Sequence, residues 1–191
     1  MDKEPMKAMT KPRSLVIAMV IAILVVFSVH FLDFPGSVRR FERVSGGGVL
    51  LDVLPAFTVD GVYARLVGYG EAGRESYTMR NVTVDLILPL SMLPFLYLLM
   101  LNAVRPLRLN RLLQVSLLSL SLTYVILDLA ENAGVLMLLS NYPERVNWVA
   151  GLLPYVTLVK RVASLLAIFV PLALIGMRFL RGKLRKPLLP V

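Results

Sequence analysis

Asp128, Glu131 and Asn132 stand close together in the run Leu-Asp-Leu-Ala-Glu-Asn, inside a stretch otherwise apolar enough to cross a membrane. Lys160 and Arg161 interrupt the next such stretch. Charge at mid-membrane costs roughly 2.5–3.5 kcal/mol per residue on insertion scales, so it persists where it is paired, hydrated or used. Carboxylates beside cations can bind a polar ligand or pass a proton. They can equally lock two helices in register. Acid–base catalysis asks for more: a carboxylate left unpaired, whose pKa rises toward the working range.

Spacing predicts that these groups meet. Asp128 and Arg161 are equidistant from the midpoint between Glu144 and Arg145, and Glu131 and Lys160 almost so. In an antiparallel hairpin that means equal depth, roughly 15–20 Å from the turn at 1.5 Å per residue. Gln114, Ser121, Tyr124, Asp128 and the Glu131–Asn132 pair recur at helical spacing and share a face. Thr157, Lys160, Arg161 and Ser164 answer them on the next helix, while His30, Asp33 and Asp85 fall at span ends on the same side. The expectation is an intramembrane ion-pair layer in a polar cavity open to the exterior.

Composition supplies the elements that hold such a layer. The 191-residue chain is 57% hydrophobic with a mean hydropathy of +0.73, above the roughly 45–50% apolar content of soluble domains. Apolar runs reach the ~20 residues needed to cross a bilayer. They predict an all-α fold, a four-helix transmembrane bundle forming one integral membrane domain over 1–191. The spans fall at about 14–32, 82–104, 112–140 and 148–180, with a long exterior loop, 34–80, between helices 1 and 2. The first run ends in His30-Phe31-Leu32-Asp33, a poor signal-peptide cleavage site, so it reads as an uncleaved helix. Within the loop, Ser45-Gly46-Gly47-Gly48 lacks the Lys-Ser/Thr of a phosphate loop and reads as a linker. Short helices are expected from Asp60 to Val67 and from Glu71 to Arg80, and Pro89 and Pro94 should kink the second span.

The net charge of +9 flanks the apolar runs rather than forming one basic soluble face, which speaks for topology and against nucleic acid. Lys3, Lys7, Lys11 and Arg13, then Arg105, Arg108 and Arg111, then Arg178, Arg181, Lys183, Arg185 and Lys186 lie on one side of four spans. The positive-inside rule then makes both termini cytoplasmic, in the plasma (inner) membrane if the host is bacterial. Arg39, Arg40, Arg43 and Arg80 run against that bias. The basic tail is placed to touch anionic headgroups. Tyr142, Trp148 and Tyr155 read as interfacial anchors, and the pairs Ala130/Gly134 and Ala163/Ala167 suit close helix packing. Cysteine is absent and His30 is the one histidine, which removes disulfides, thiolate catalysis and Cys/His zinc sites. A carboxylate-only metal site stays open in principle; no metal or cofactor is assigned.

The topology is similar to tetraspan families such as claudins, without the Trp and cysteines of the claudin loop. The Gly-x-Gly-Asp and Gly-x-Ser-Gly elements of intramembrane proteases are missing, as are the histidines of acid-phosphatase-type lipid phosphatases. Gly70-Glu71-Ala72-Gly73-Arg74 with Tyr77, then Asp85 and Pro89, then Asp128-Leu-Ala-Glu131-Asn132, then Tyr142-Pro143 resembles a recurrent family of small four-helix membrane proteins over about residues 60–145. That family, mostly bacterial, carries no activity over. The resemblance adds Arg74, Tyr77 and Asp85 to the candidates. The leading expectation is a pocket for a lipid headgroup or small polar ligand, lined by Asp128, Glu131, Asn132, Lys160, Arg161, Asp85 and Tyr124, with Arg74 and Tyr77 as a lid. The alternatives are a structural or assembly subunit that meets a membrane protein partner, and a membrane enzyme using a carboxylate acid/base.

Overall fold

The computed structural model describes residues 12–107 and 109–184, with side chains to residue 181 at the far end. Lys3, Lys7, Lys11, Arg108, Arg185 and Lys186 lie outside the described residues, as does the side chain of Lys183. Seven helices and no strands make up the described chain: α1 Pro12–Phe31, α2 Val38–Val44, α3 Val59–Gly68, α4 Gly70–Val82, α5 Val84–Val104, α6 Arg111–Asn141 and α7 Asn147–Leu184. Four stretches are long and apolar enough to cross a membrane: α1, α4–α5 taken together, α6 and α7. Large apolar side chains dominate the outward faces of α1, α5, α6 and α7, with Ser116, Ser119 and Thr123 among them on α6, so the bundle's surface suits lipid.

Helix α1 packs on α5, α5 on α6 and α7, and α6 on α7. The α6–α7 hairpin is far longer than its neighbours. Its helices have 31 and 38 residues against 20 in α1 and 21 in α5. At 1.5 Å per residue α7 is about 57 Å long, nearly twice a hydrocarbon core of about 30 Å.

The segment between α1 and α5 is a folded cap rather than an open loop. Ser37 and Thr58 start α2 and α3 by accepting from the amides of Arg40 and Gly61. The Ser45–Gly48 stretch is the closing turn of α2, with the Gly47 amide bonded to the Glu42 carbonyl at 2.8 Å. Gly70, at φ +64°, turns α3 into α4. A Cβ on Gly73 would sit 2.9 Å from Ser45 Cβ, so this glycine is what lets α4 lie against the α2 turn. Above it the rings of Phe41, Tyr69 and Tyr77 cluster, Tyr69 edge to face with each of the others, with centroids 5.1–6.0 Å apart. Burial pushes the Tyr69 hydroxyl up from its ordinary pKa and keeps it a donor, 2.6 Å from the Val49 carbonyl.

This cap grips the extended part of the hairpin. The Val146 amide donates to Tyr63 Oη at 2.5 Å, Arg145 pairs with Asp60, and Arg74 lies 4.1 Å over the Tyr142 ring. Tyr142, expected at a membrane interface, is therefore packed against the cap core, beside the cis Tyr142–Pro143 bond. Trp148 and Tyr155 are exposed, the latter edge-on to Phe57.

Candidate functional site

Pro89 sits in the second turn of α5 and has no N–H to give to the Asp85 carbonyl four residues back. Asn132 fills the gap: its amide donates to that carbonyl at 2.7 Å and to Asp128 Oδ2 at 3.2 Å. One side chain of α6 thus completes a broken helix in α5 and steadies a carboxylate.

Around it lies a layer of buried charge. Lys160 Nζ is shared, 3.1 Å from Asp128 Oδ1 and paired with Glu131 Oε2. Thr157 donates to the other Glu131 oxygen, and Glu131 is 0% exposed. Arg80, at the end of α4, reaches Asp85 Oδ1 at 2.7 Å and the Gly36 carbonyl at 3.3 Å, with both side chains buried. Asp52, on the loop between α2 and α3, accepts from Tyr77 at 2.9 Å and stands close enough to act electrostatically on Asp85, Asp128, Glu131 and Lys160. Among the described residues, no three His, Cys, Asp or Glu side chains are grouped to hold a metal ion.

These bonds also fix depth. Gly36 just past α1, Asp85 at the head of α5, Glu131 on α6 and Lys160 on α7 are tied into one level. Counting from the hairpin turn suggests a mid-span position. The layer instead coincides with the cap-side ends of α1 and α5. The remaining segments, 12–31, 85–104, 111–131 and 160–180, are each about 20 residues, or about 30 Å.

Arg161 does not pair with Asp128 as equal depth predicts. It donates to the backbone carbonyls of Asp52, at 2.9 Å, and Val53. The reason is rotation: neighbouring residues point 100° apart at 3.6 residues per turn, so Lys160 and Arg161 cannot both face α6. Arg74 and Tyr77 are not a loose lid either. Arg74 binds the Leu66 carbonyl at 2.9 Å and covers Tyr142, and Tyr77 is fully buried beneath the cap.

Tyr124 sits one turn from Asp128 in an apolar cluster with Leu96, Val125, Ala163 and Ala167. Ser121, below it, is buried with its hydroxyl unpartnered. His30 bonds back to its own helix and Asp33 pairs with the exposed Arg43, so both stand apart from the layer. Gln114 bonds the Leu109 carbonyl and Ser164 the Arg161 carbonyl, each at home on its own segment.

Sequence spacing missed Asp52 and passed over Arg80 as a site residue. Asp52 is the one charge in the run Val49-Leu-Leu-Asp-Val-Leu54, and Arg80 lies five residues before Asp85 across the α4–α5 break. An acid alone in an apolar loop and a cation five residues before an acid were the available signals. No protein-family model, curated protein or solved structure matches the chain.

Proposed function

We propose that this multi-pass membrane protein holds a positively charged polar group, either a lipid headgroup or a small amine, at the carboxylate layer beneath its cap. The charge balance carries the reading. Asp52, Asp85, Asp128 and Glu131 face Arg80 and Lys160, Lys160 serves two of them, and Arg161 spends its guanidinium on backbone carbonyls. Carboxylates outnumber the cations that reach them, and buried charge is retained where a counter-charge completes it. The loop bearing Asp52 is half-buried and tied down by Tyr77 and Arg161, so lifting it opens the layer from the cap side. With the positive-inside assignment the cap faces the exterior and both termini the cytoplasm.

The test is thermal melting of the purified protein with ethanolamine, choline or phosphatidylethanolamine, and with the uncharged ethylene glycol as control. A saturating ligand at 100 times its Kd stabilises by about 2.7 kcal/mol. The amines are expected to raise Tm, the diol to leave it unchanged, and Asp52→Asn or Asp128→Asn to abolish the rise. No amine-dependent shift in the unaltered protein sinks the proposal.

The closure of the layer favours a second reading, in which these charges only lock α6 to α7. Glu131 has no exposure and both its oxygens are engaged. The Asp128→Asn, Glu131→Gln double variant separates the two. A loss on the order of 3–5 kcal/mol, as on breaking buried ion pairs, supports the lock. Near-normal stability supports a site kept for binding.

A further inference from the structure

Beyond the charged layer, α6 and α7 continue past the ends of α1 and α5. Helices α3 and α4 cover one side of this extension. The other side is bare and forms an apolar groove of about 310 Å³. Ala130, Ala133 and Gly134 floor it, and Trp148, Leu152 and Val156 wall it. Every residue lining it is apolar. Trp148 stands 68% exposed at its outer end.

The groove is continuous with the lipid-facing surface of the bundle. Toward the termini its walls run into exposed Val159 and Val162 on α7 and Leu129 and Ile126 on α6. Lys160, one turn from Val156 on the same helix, turns its ammonium to Asp128 and Glu131. This continuity with the surface of two spanning helices selects a hydrocarbon occupant from the bilayer. A single hydrocarbon chain fits. Asp128 and Glu131 are not among the residues that line the groove, so the polar layer does not compete for this space.

The geometry points to a binding site for one acyl chain of a membrane lipid, drawn up out of the cap-side leaflet along the α6–α7 groove as far as Trp148. This requires only that the four roughly 20-residue segments span the bilayer, and it is independent of what the carboxylate layer binds. The lipid gains an apolar wall above the membrane surface, and the protein covers a face it would otherwise leave in water.

Trp148 is the one tryptophan in the chain and so reports on its own surroundings. It lies about 18 Å beyond the level of Lys160, counting 1.5 Å per residue along α7. The experiment is tryptophan emission from the full chain in nanodiscs of phosphatidylcholine brominated near the ends of its acyl chains. Unbrominated lipid is the reference. The expected result is loss of most of the emission, recovered in Ala133→Phe, which fills the groove from an exposed floor position and leaves the core untouched. Val156→Phe fills it from the opposite wall and is expected to do the same. Full emission in brominated lipid means that no chain reaches Trp148, and overturns the proposal. Quenching that persists in both variants means that the hairpin tip lies in the bilayer itself, and overturns it too. Full emission from a particle holding two copies assigns the face to a second copy, again against a lipid chain.

Discussion

Asn132 shows how one polar residue in an apolar helix answers a backbone defect somewhere else. A proline in a helix interior orphans the carbonyl one turn back. Here the orphan is the Asp85 carbonyl, and a neighbouring helix supplies the missing donor. Leaving a buried acceptor unmade costs about 1–3 kcal/mol, whereas removing both sides of the problem is far less damaging. Asn132→Leu is therefore expected to destabilise by that amount, and much less in a Pro89→Ala background, where the restored amide serves the carbonyl. A double-variant cycle of melting in mild detergent measures the coupling. Strictly additive losses would show that Asn132 acts only on Asp128. The same scale explains what the sequence revealed and what it hid. Helical spacing exposed the α6 stripe because all its members lie on one element. Arg161 was misassigned because equal depth ignores rotation about α7. Asp52 was missed because no periodicity says where a loop carboxylate lands.

At the scale of elements, the cap depends on close approach. Helix α4 lies against the α2 turn with no room for a side chain at Gly73, since a Cβ there meets Ser45 Cβ at 2.9 Å, Tyr69 Cβ at 3.0 Å and the Ser45 backbone at 3.2 Å. Gly176 in α7 has nothing within 4 Å. Gly73→Ala is expected to cost about 1–3 kcal/mol through overpacking. Gly176→Ala should raise stability by up to about 1 kcal/mol, because alanine loses less entropy in a helix. Chemical or thermal unfolding of the two variants side by side checks the pair, and equal effects would refute the close-packing account. The four long helices and the helices near 60–67 and 71–80 could be read from composition and periodicity. Helix α2 could not, because its seven residues bury only Phe41 and show no apolar stripe of their own. Nor could the grip of the cap on the hairpin turn, which rests on Tyr63, Arg74 and Arg145 meeting partners distant in sequence.

The whole molecule is built on two lengths. Segments of about 20 residues in all four helices match a hydrocarbon core of about 30 Å, and the surplus of α6 and α7 carries the cap. The positive-inside bias and the apparent exception in the first connection are compatible on this plan. Arg80 is paired with Asp85 in the interior and the exposed Arg43 with Asp33, beside the exposed Arg39 and Arg40 of α2. The proposed orientation rests on the basic residues around α1, the α5–α6 connection and the end of α7, and predicts a hairpin tip on the outside. Because the chain has no cysteine, any one introduced is a unique reporter. Glu144→Cys, exposed at the tip, is expected to react with a membrane-impermeant maleimide on intact cells. Pro106→Cys, exposed in the α5–α6 connection, is expected to react only after permeabilisation. The reverse pattern would invert the molecule, place the carboxylate layer at the cytoplasmic surface and move the groove's lipid to the inner leaflet. Labelling of both on intact cells would break the even number of crossings on which the bundle rests.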